Sequence, residues 1–166
     1  DLANNYRGKI SLIESFKSSS NIVPIKISKE IGNKKIINLA NALGLGQIQK
    51  LEEFKSLAIG SFGDNLLNIT NIYAGINNNG RLHKTSILEK IEQLNGQTVW
   101  ENKFISKQIF DLKVNDKLKK ILENTVTDGT AIAASISGKK IFGKTGTSDG
   151  NRDLWFIGSI ENLTTG

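Results

Sequence analysis

Apolar and polar residues at the start of the chain recur with the spacing of short helices. Ser11 and Glu14 have the spacing of a capping box ahead of an apolar run, in which each side chain bonds the other residue's backbone N–H. This pattern predicts a helix that begins near Leu12 and runs toward the three serines at positions 18–20.

A second and a third helix are predicted directly after these serines. Asn21 is a candidate N-cap for the second, and Pro24 is tolerated in its first turn because an N–H there has no partner within the helix. Gly32 is a natural stop for this helix. The third helix is predicted over 33–43, with Gly44 as its terminator.

In the rest of the chain, the spacing of apolar residues changes three times between the period of a helix and that of a strand. Between positions 87 and 101, alternating residues flank Asn95-Gly96, a pair that favours tight hairpin turns. The predicted elements after the third helix are a helix at 66–76, a β-hairpin at 87–101, a helix at 115–125, and two strands at 140–147 and 154–160.

Composition narrows the class of protein. The 166 residues are 38% apolar and 23% charged, which is typical of a globular domain. With no Cys and one His, thiolate metal sites, iron–sulfur clusters, disulfides and Cys nucleophiles are excluded. The net charge of +6 comes from dispersed Lys residues, which favours a solvated surface over nucleic-acid binding. The sequence contains neither an apolar run long enough for a membrane span nor the pattern of a signal peptide.

The sequence Lys144-Thr-Gly-Thr147 lies on the first of the two last strands. Thr145 and Thr147 share a face of that strand, while Gly146 removes bulk and lets a ligand approach the backbone. At a sheet edge the two hydroxyls can hold a carboxylate, Lys144 adds a positive field, and the Thr147 N–H can donate to an oxyanion. The alternative interpretation is an ordinary edge strand with a glycine bulge.

Ser19, Ser20 and Asn21 form a second polar group at the predicted junction of the first two helices. A junction can direct the Ser19 hydroxyl and the Asn21 carboxamide into one cleft. The alternative is that these side chains are helix caps. If the first interpretation is correct, Ser19 and Asn21 converge with Lys144 and Thr147 on a single cleft.

Together, and in this order, the two motifs resemble the transpeptidase domain of penicillin-binding proteins, whose signature is Ser-x-x-Lys, then Ser-x-Asn, then Lys-Thr-Gly. Further similar segments lie at 15–25, 57–60, 73–80, 128–131 and 142–148. Asn151-Arg-Asp-Leu-Trp-Phe-Ile-Gly158 is similar to a strand of the class A members, the bifunctional peptidoglycan synthases. The resemblance covers nearly the whole chain.

This resemblance implies an α/β (α+β) fold like that of serine β-lactamases, in which helices pack on an antiparallel sheet. It implies a site between the Lys-Thr-Gly edge strand and the helices. The implied activity is that of a D,D-transpeptidase, which cross-links peptidoglycan stem peptides through a serine acyl-enzyme and is acylated by β-lactams. No metal or organic cofactor is expected.

The resemblance also assigns residues, partners and a location. The assigned residues are Ser19, Asn21 and Lys144 for catalysis, and Thr145, Gly146 and Thr147 for substrate binding. Stem peptides and β-lactams are the expected partners, with no nucleic acid and no membrane contact in this chain. The parent protein is expected to be membrane-anchored at the periplasmic or extracellular face of the bacterial cytoplasmic membrane.

The sequence departs from the family signature at the Ser-x-x-Lys motif, which does not occur before Ser19. Only Ser137-Gly-Lys-Lys140 has the Ser-x-x-Lys spacing, and Gly138 together with the strand pattern that follows makes this an accidental match. We therefore expect residues 1–166 to be a partial transpeptidase domain, inactive by itself, that lacks the nucleophile helix before it and a strand and helix after it. Two alternatives stay open: a serine β-lactamase or β-lactam sensor, against which the 151–158 strand argues, and a non-catalytic degenerate domain that binds cell-wall peptide or a partner protein.

Overall fold

The computed structural model describes residues 7–46 and 54–166. In these residues the helices are α1 (Leu12–Lys17), α2 (Ile22–Ile31), α3 (Asn33–Ala42), α4 (Leu66–Asn77) and α5 (Leu112–Asp128). The strands are β1 (Arg81–His83), β2 (Lys90–Glu92), β3 (Thr98–Glu101), β4 (Ser106–Gln108), β5 (Ile141–Thr147), β6 (Leu154–Ile160) and β7 (Leu163–Thr165). Short 3₁₀ helices lie at Lys55–Ile59, Ile132–Ala134 and Asp149–Asn151.

All strand pairs of the described residues are antiparallel. The largest sheet has the order β5-β6-β7, while β1 pairs with β4 and β2 pairs with β3. Helix α5 packs on β5, and α4 packs on β6 and β7. The predicted mixed α/β fold with helices on an antiparallel sheet is therefore confirmed, and β5 is an edge strand within the described part of the chain.

The main core lies between α3, α4, α5 and β5. Its buried side chains are Ile37, Ala40, Leu45, Leu57, Ile72, Ile76, Leu122 and Phe142. The buried Thr125 hydroxyl bonds the carbonyl oxygens of Leu122, at 2.8 Å, and of Gly143. Since Gly143 belongs to β5, this contact fixes the strand against α5.

Gly143 and Gly158 lie opposite each other on β5 and β6. The Phe156 ring covers both, because a Cβ atom added at either glycine would lie 2.6 Å or 2.7 Å from Phe156 Cζ. Glycine at these two positions lets the ring cross the strands and join a second core cluster with Val126 and Ile141.

The start of the chain follows its local sequence signals, with one exception. The Ser11 side chain accepts a hydrogen bond from the Glu14 N–H at 3.1 Å, and α1 begins at Leu12 as predicted. The ends of α2 and α3 are also close to those predicted. The Asn21 side chain makes no capping hydrogen bond to α2, so the prediction that it caps this helix is wrong.

Several elements differ from the prediction. Helix α5 begins three residues earlier than expected because the Asp111 side chain accepts a hydrogen bond from the Val114 N–H at 2.9 Å. The hairpin between β2 and β3 is present, but Gln93 N–H bonds Gln97 O at 2.9 Å and leaves a three-residue connection instead of the predicted two-residue turn. In that connection Gly96 adopts a φ of +84°, which glycine tolerates.

Strands β1, β4 and β7 were missed by the sequence analysis. Each has three residues, too few to display a period of two. The prediction that two strands close the chain is wrong, because β7 extends the large sheet after a turn in which Glu161 has a φ of +52°. No helix of residues 7–46 and 54–166 has both the length and the hydropathy of a membrane span.

Candidate active site

A cavity of about 690 Å³ lies between the first helices and the free edge of β5. Its apolar wall comes from α1, α2, α3 and the first 3₁₀ helix, through Leu12, Phe16, Pro24, Ile27, Ile31, Ile36, Ala58 and Ile59. Its polar end is formed by Ser19, Ser20, Asn21 and residues 144–147 of β5. A cavity with one polar end and an apolar wall suits a ligand that carries both kinds of surface.

Polar side chains from three elements meet at this end. Lys144 Nζ donates to Ser19 Oγ, 125 positions away in the sequence. Ser19 Oγ lies 3.1 Å from Thr130 Oγ1, a contact in which either hydroxyl can donate. Thr130 Oγ1 accepts a hydrogen bond from Thr145 Oγ1 at 3.1 Å. Ser19 and Lys144 therefore share one cleft, as the geometric prediction requires, while the chemical roles assigned to them stay predictions.

Local helix chemistry positions Ser19. Helix α1 ends in a Schellman motif, in which Ser19 N–H bonds Phe16 O at 3.1 Å and Ser20 N–H bonds Ser15 O at 2.9 Å. Ser19 occupies the left-handed position of this motif with a φ of +50°, where glycine is the usual residue. A left-handed non-glycine residue that lines a cavity is a candidate for a functional role.

Two substitutions of Ser19 distinguish the effect of the strained backbone from the effect of the hydroxyl group. Ser19→Ala and Ser19→Gly both remove the hydroxyl, but only glycine relieves the left-handed strain. We expect the glycine variant to be more stable than the alanine variant by about 1 kcal/mol in the free energy of unfolding measured with urea. Equal stabilities of the two variants would contradict the strained conformation.

Lys144 is half-buried, and this burial lowers the pKa of its ammonium group. Its hydrogen bonds go to the Ser19 hydroxyl and, at 3.2 Å, to the carbonyl of Thr145. A lysine with a lowered pKa has a larger neutral fraction near pH 7 than an exposed one, so it is better suited to accept and return a proton.

Asn21, Gly146 and Thr147 also line the cavity. Because Asn21 does not cap α2, its carboxamide is not engaged by the helix end. A Cβ atom added at Gly146 would meet only Trp155 Cβ, at 4.0 Å, so the missing side chain leaves open space beside the backbone. Strand β5 pairs regularly through Gly146 and Trp155, which excludes the alternative of a glycine bulge.

Two residues at this site were not predicted. Thr130 follows α5, and only the similarity of segment 128–131 to the family drew attention to its neighbourhood. Ser15 lines the cavity with 1% of its surface exposed, and its hydroxyl has no hydrogen-bond partner within the described residues. Helical spacing does not link it to Ser19, because Ser15 lies inside α1 and Ser19 lies beyond the end of that helix.

The functional groups at the polar end are an ammonium group, hydroxyls and a carboxamide. These groups can bind a carboxylate and pass protons between oxygen and nitrogen atoms. Within the described residues, no three His, Cys, Asp or Glu side chains lie close enough together to hold a metal ion.

Known proteins are similar in sequence over almost the entire chain. Penicillin-binding protein 4 of Bacillus subtilis is 28% identical over 165 residues, a match that covers 98% of this chain and 26% of that protein. Penicillin-binding protein 1A of Rickettsia typhi is 27% identical, with 97% of this chain and 23% of that protein covered. The chain thus spans about a quarter of the length of these relatives.

The chain is also similar in fold to solved structures. The crystal structure of the D,D-transpeptidase domain of a peptidoglycan glycosyltransferase from Eggerthella lenta superposes with a TM-score of 0.82 at 20% identity, covering 95% of this chain and 47% of that one. The family model for the penicillin binding protein transpeptidase domain matches residues 2–164. The chain belongs to the family of penicillin-binding protein transpeptidase domains.

Proposed function

We propose that this chain is part of a peptidoglycan D,D-transpeptidase that cross-links stem peptides by acyl transfer and is acylated by penicillin. The observation that carries the proposal is the hydrogen bond from Lys144 to Ser19 at the polar end of the cavity. Membership of the family and the D,D-transpeptidase domain among the structural neighbours support the same activity.

In the proposed reaction, a serine hydroxyl attacks the carbonyl carbon of the D-Ala-D-Ala peptide bond. The serine loses its proton, an acyl-enzyme ester forms, and the leaving D-Ala amine takes up a proton. Ser19 is close enough to Lys144 for the pair to move protons between the nucleophile and the leaving amine, with Ser19 as the group nearer to the substrate.

The remaining residues of the polar end would bind the substrate. The Asn21 carboxamide would hold a substrate amide, and the Thr147 hydroxyl would hold its terminal carboxylate. Thr145, whose hydroxyl donates to Thr130, would line the site beside them. The backbone N–H of Thr147 would stabilise the oxyanion of the tetrahedral intermediate, next to the open backbone at Gly146.

The attacking serine is proposed to lie outside these 166 residues. Ser137 belongs to the accidental Ser-x-x-Lys match, and three observations argue against it as the nucleophile. Ser137 is exposed, Gly138 after it has a φ of +74°, and Lys139 N–H bonds Ile136 O in a turn at 3.1 Å. This backbone does not place Ser137 and Lys140 one helical turn apart on a common face.

The protein that contains this chain would act on peptidoglycan outside the cytoplasm. We propose that it is anchored in the bacterial cytoplasmic membrane and faces the periplasm or the cell exterior. Such a location matches the proposed substrate, because stem peptides are cross-linked in the cell wall.

Labelling with fluorescent penicillin tests the proposed function. The longer protein that contains this sequence is expected to form a covalent adduct, and peptide mapping by mass spectrometry is expected to locate it on one serine before residue 1. A protein that stays unlabelled would support the non-catalytic alternative. Rapid turnover of the adduct with hydrolysis of penicillin would support the β-lactamase alternative, and neither outcome agrees with a transpeptidase.

A further inference from the structure

Thr130 connects the two sides of the polar end of the cavity. Its Oγ1 atom lies 3.1 Å from Ser19 Oγ and 3.1 Å from Thr145 Oγ1. Ser19 belongs to the end of α1 and Thr145 to β5, whereas Thr130 follows α5 and is not among the residues that line the cavity. Thr130 therefore contacts two candidate site residues from a third part of the fold.

Two of the hydrogen bonds around Ser19 and Thr130 have a defined donor. Lys144 donates to Ser19, and Thr145 donates to Thr130. Between Ser19 and Thr130 either hydroxyl can donate, and the Thr130 proton is available because Thr130 is the acceptor toward Thr145. In the arrangement in which Thr130 donates, Ser19 accepts two hydrogen bonds, and its own proton is free to point into the cavity.

The backbone around Thr130 is tied to the same helix end that carries Ser19. Thr130 N–H donates to Lys17 O at 3.1 Å, and the Lys17 side chain forms an ion pair with Asp128. At Gly129 an added Cβ atom would lie 2.7 Å from Lys17 O and 2.8 Å from the backbone of Thr125, so only glycine allows this approach. These contacts hold the Thr130 hydroxyl at a fixed distance from Ser19.

From this geometry we infer that Thr130 is a positioning residue, which orients the Ser19 hydroxyl so that its proton faces the bound substrate. The inference rests on the proposed acylation reaction. Thr130 does not contact the reacting atoms, and it acts through Ser19. Its side chain is exposed and lies outside the buried core, so the hydroxyl is expected to contribute to the reaction much more than to stability.

Variants of the longer protein test this inference. Thr130→Val keeps the shape of the side chain and removes the hydroxyl, while Thr130→Ser keeps the hydroxyl. Thr127→Val is a matched control, because Thr127 is exposed near the end of α5. Within residues 7–46 and 54–166 its hydroxyl bonds only the Glu123 carbonyl of its own helix, at 3.3 Å. The measurement is the rate of acylation by fluorescent penicillin over a range of concentrations, which separates the maximal rate constant from the apparent Kd.

We expect Thr130→Val to lower the maximal acylation rate constant roughly 3- to 10-fold, the effect of one neutral hydrogen bond, with an unchanged apparent Kd. Thr130→Ser is expected to restore most of the rate, and Thr127→Val to match the unmodified protein. Acylation of Thr130→Val at the unmodified rate would overturn the inference and leave the proposed function intact. A joint loss of rate and of thermal stability, without recovery in Thr130→Ser, would assign Thr130 a structural role instead. An unmodified protein that is not acylated would contradict both proposals.

Discussion

Replacement of Lys144 by methionine in the longer protein is expected to lower the rate of penicillin acylation about 100- to 10,000-fold, the range typical of a lost acid–base group. Methionine keeps most of the length and the apolar stem of lysine. It removes the amine that donates to Ser19 and the positive charge at the polar end of the cavity. Because Lys144 is only half-buried and belongs to none of the ion pairs found in the described residues, the fold is expected to tolerate this change.

Lys144→Arg is the control that separates charge from proton transfer. The guanidinium group keeps the positive charge, but it stays protonated and cannot act as a base near neutral pH. If Lys144 moves protons, as its lowered pKa favours, the arginine variant is expected to be nearly as slow as the methionine variant. An arginine variant with near-normal acylation would limit Lys144 to an electrostatic role. Normal acylation of the methionine variant would show that Lys144 takes no part in the reaction.

The sequence was most informative where a local signal also determined the structure. The capping residue Ser11 set the start of α1, and the alternation around Asn95-Gly96 identified the hairpin of β2 and β3. Strand β7 could not be predicted from the sequence, because its formation depends on pairing with β6 and not on any pattern within its three residues. The same holds for β1 and β4, which pair across 25 positions of sequence (107 − 82) at Leu82 and Lys107.

The sequence predicted the motif residues of the site, but it did not predict which side chains contact each other there. The motif residues Ser19, Asn21 and Lys144 are recognisable in the sequence, and all three line one cavity. Thr130 has no spacing that links it to Ser19, because their contact arises from the packing of α1 on α5. The strain at Ser19 was likewise hidden, since serine at a helix end is ordinarily interpreted as a cap.

The 166-residue chain alone, incubated with fluorescent penicillin, is expected to form no covalent adduct. Acylation needs a hydroxyl that is held against the β-lactam carbonyl and assisted by a base, and together these effects supply several orders of magnitude in rate. Ser19 is the nearest candidate, but residue 22 is Ile, so no lysine follows it at the spacing of the Ser-x-x-Lys motif. Its hydroxyl is instead engaged by Lys144 and Thr130, in the position expected of an assisting group.

Intact-mass spectrometry after exposure to penicillin measures this directly, with the longer protein as the positive control. Circular dichroism and thermal unfolding of the same sample establish that the chain is folded, which the three-stranded sheet and the contacts of Thr125 with β5 lead us to expect. In a folded sample, a stoichiometric penicilloyl adduct on Ser19 or Ser137 would show that the nucleophile lies within these residues. That result would replace the proposed division of roles, because Ser19 or Ser137 would then attack the carbonyl itself.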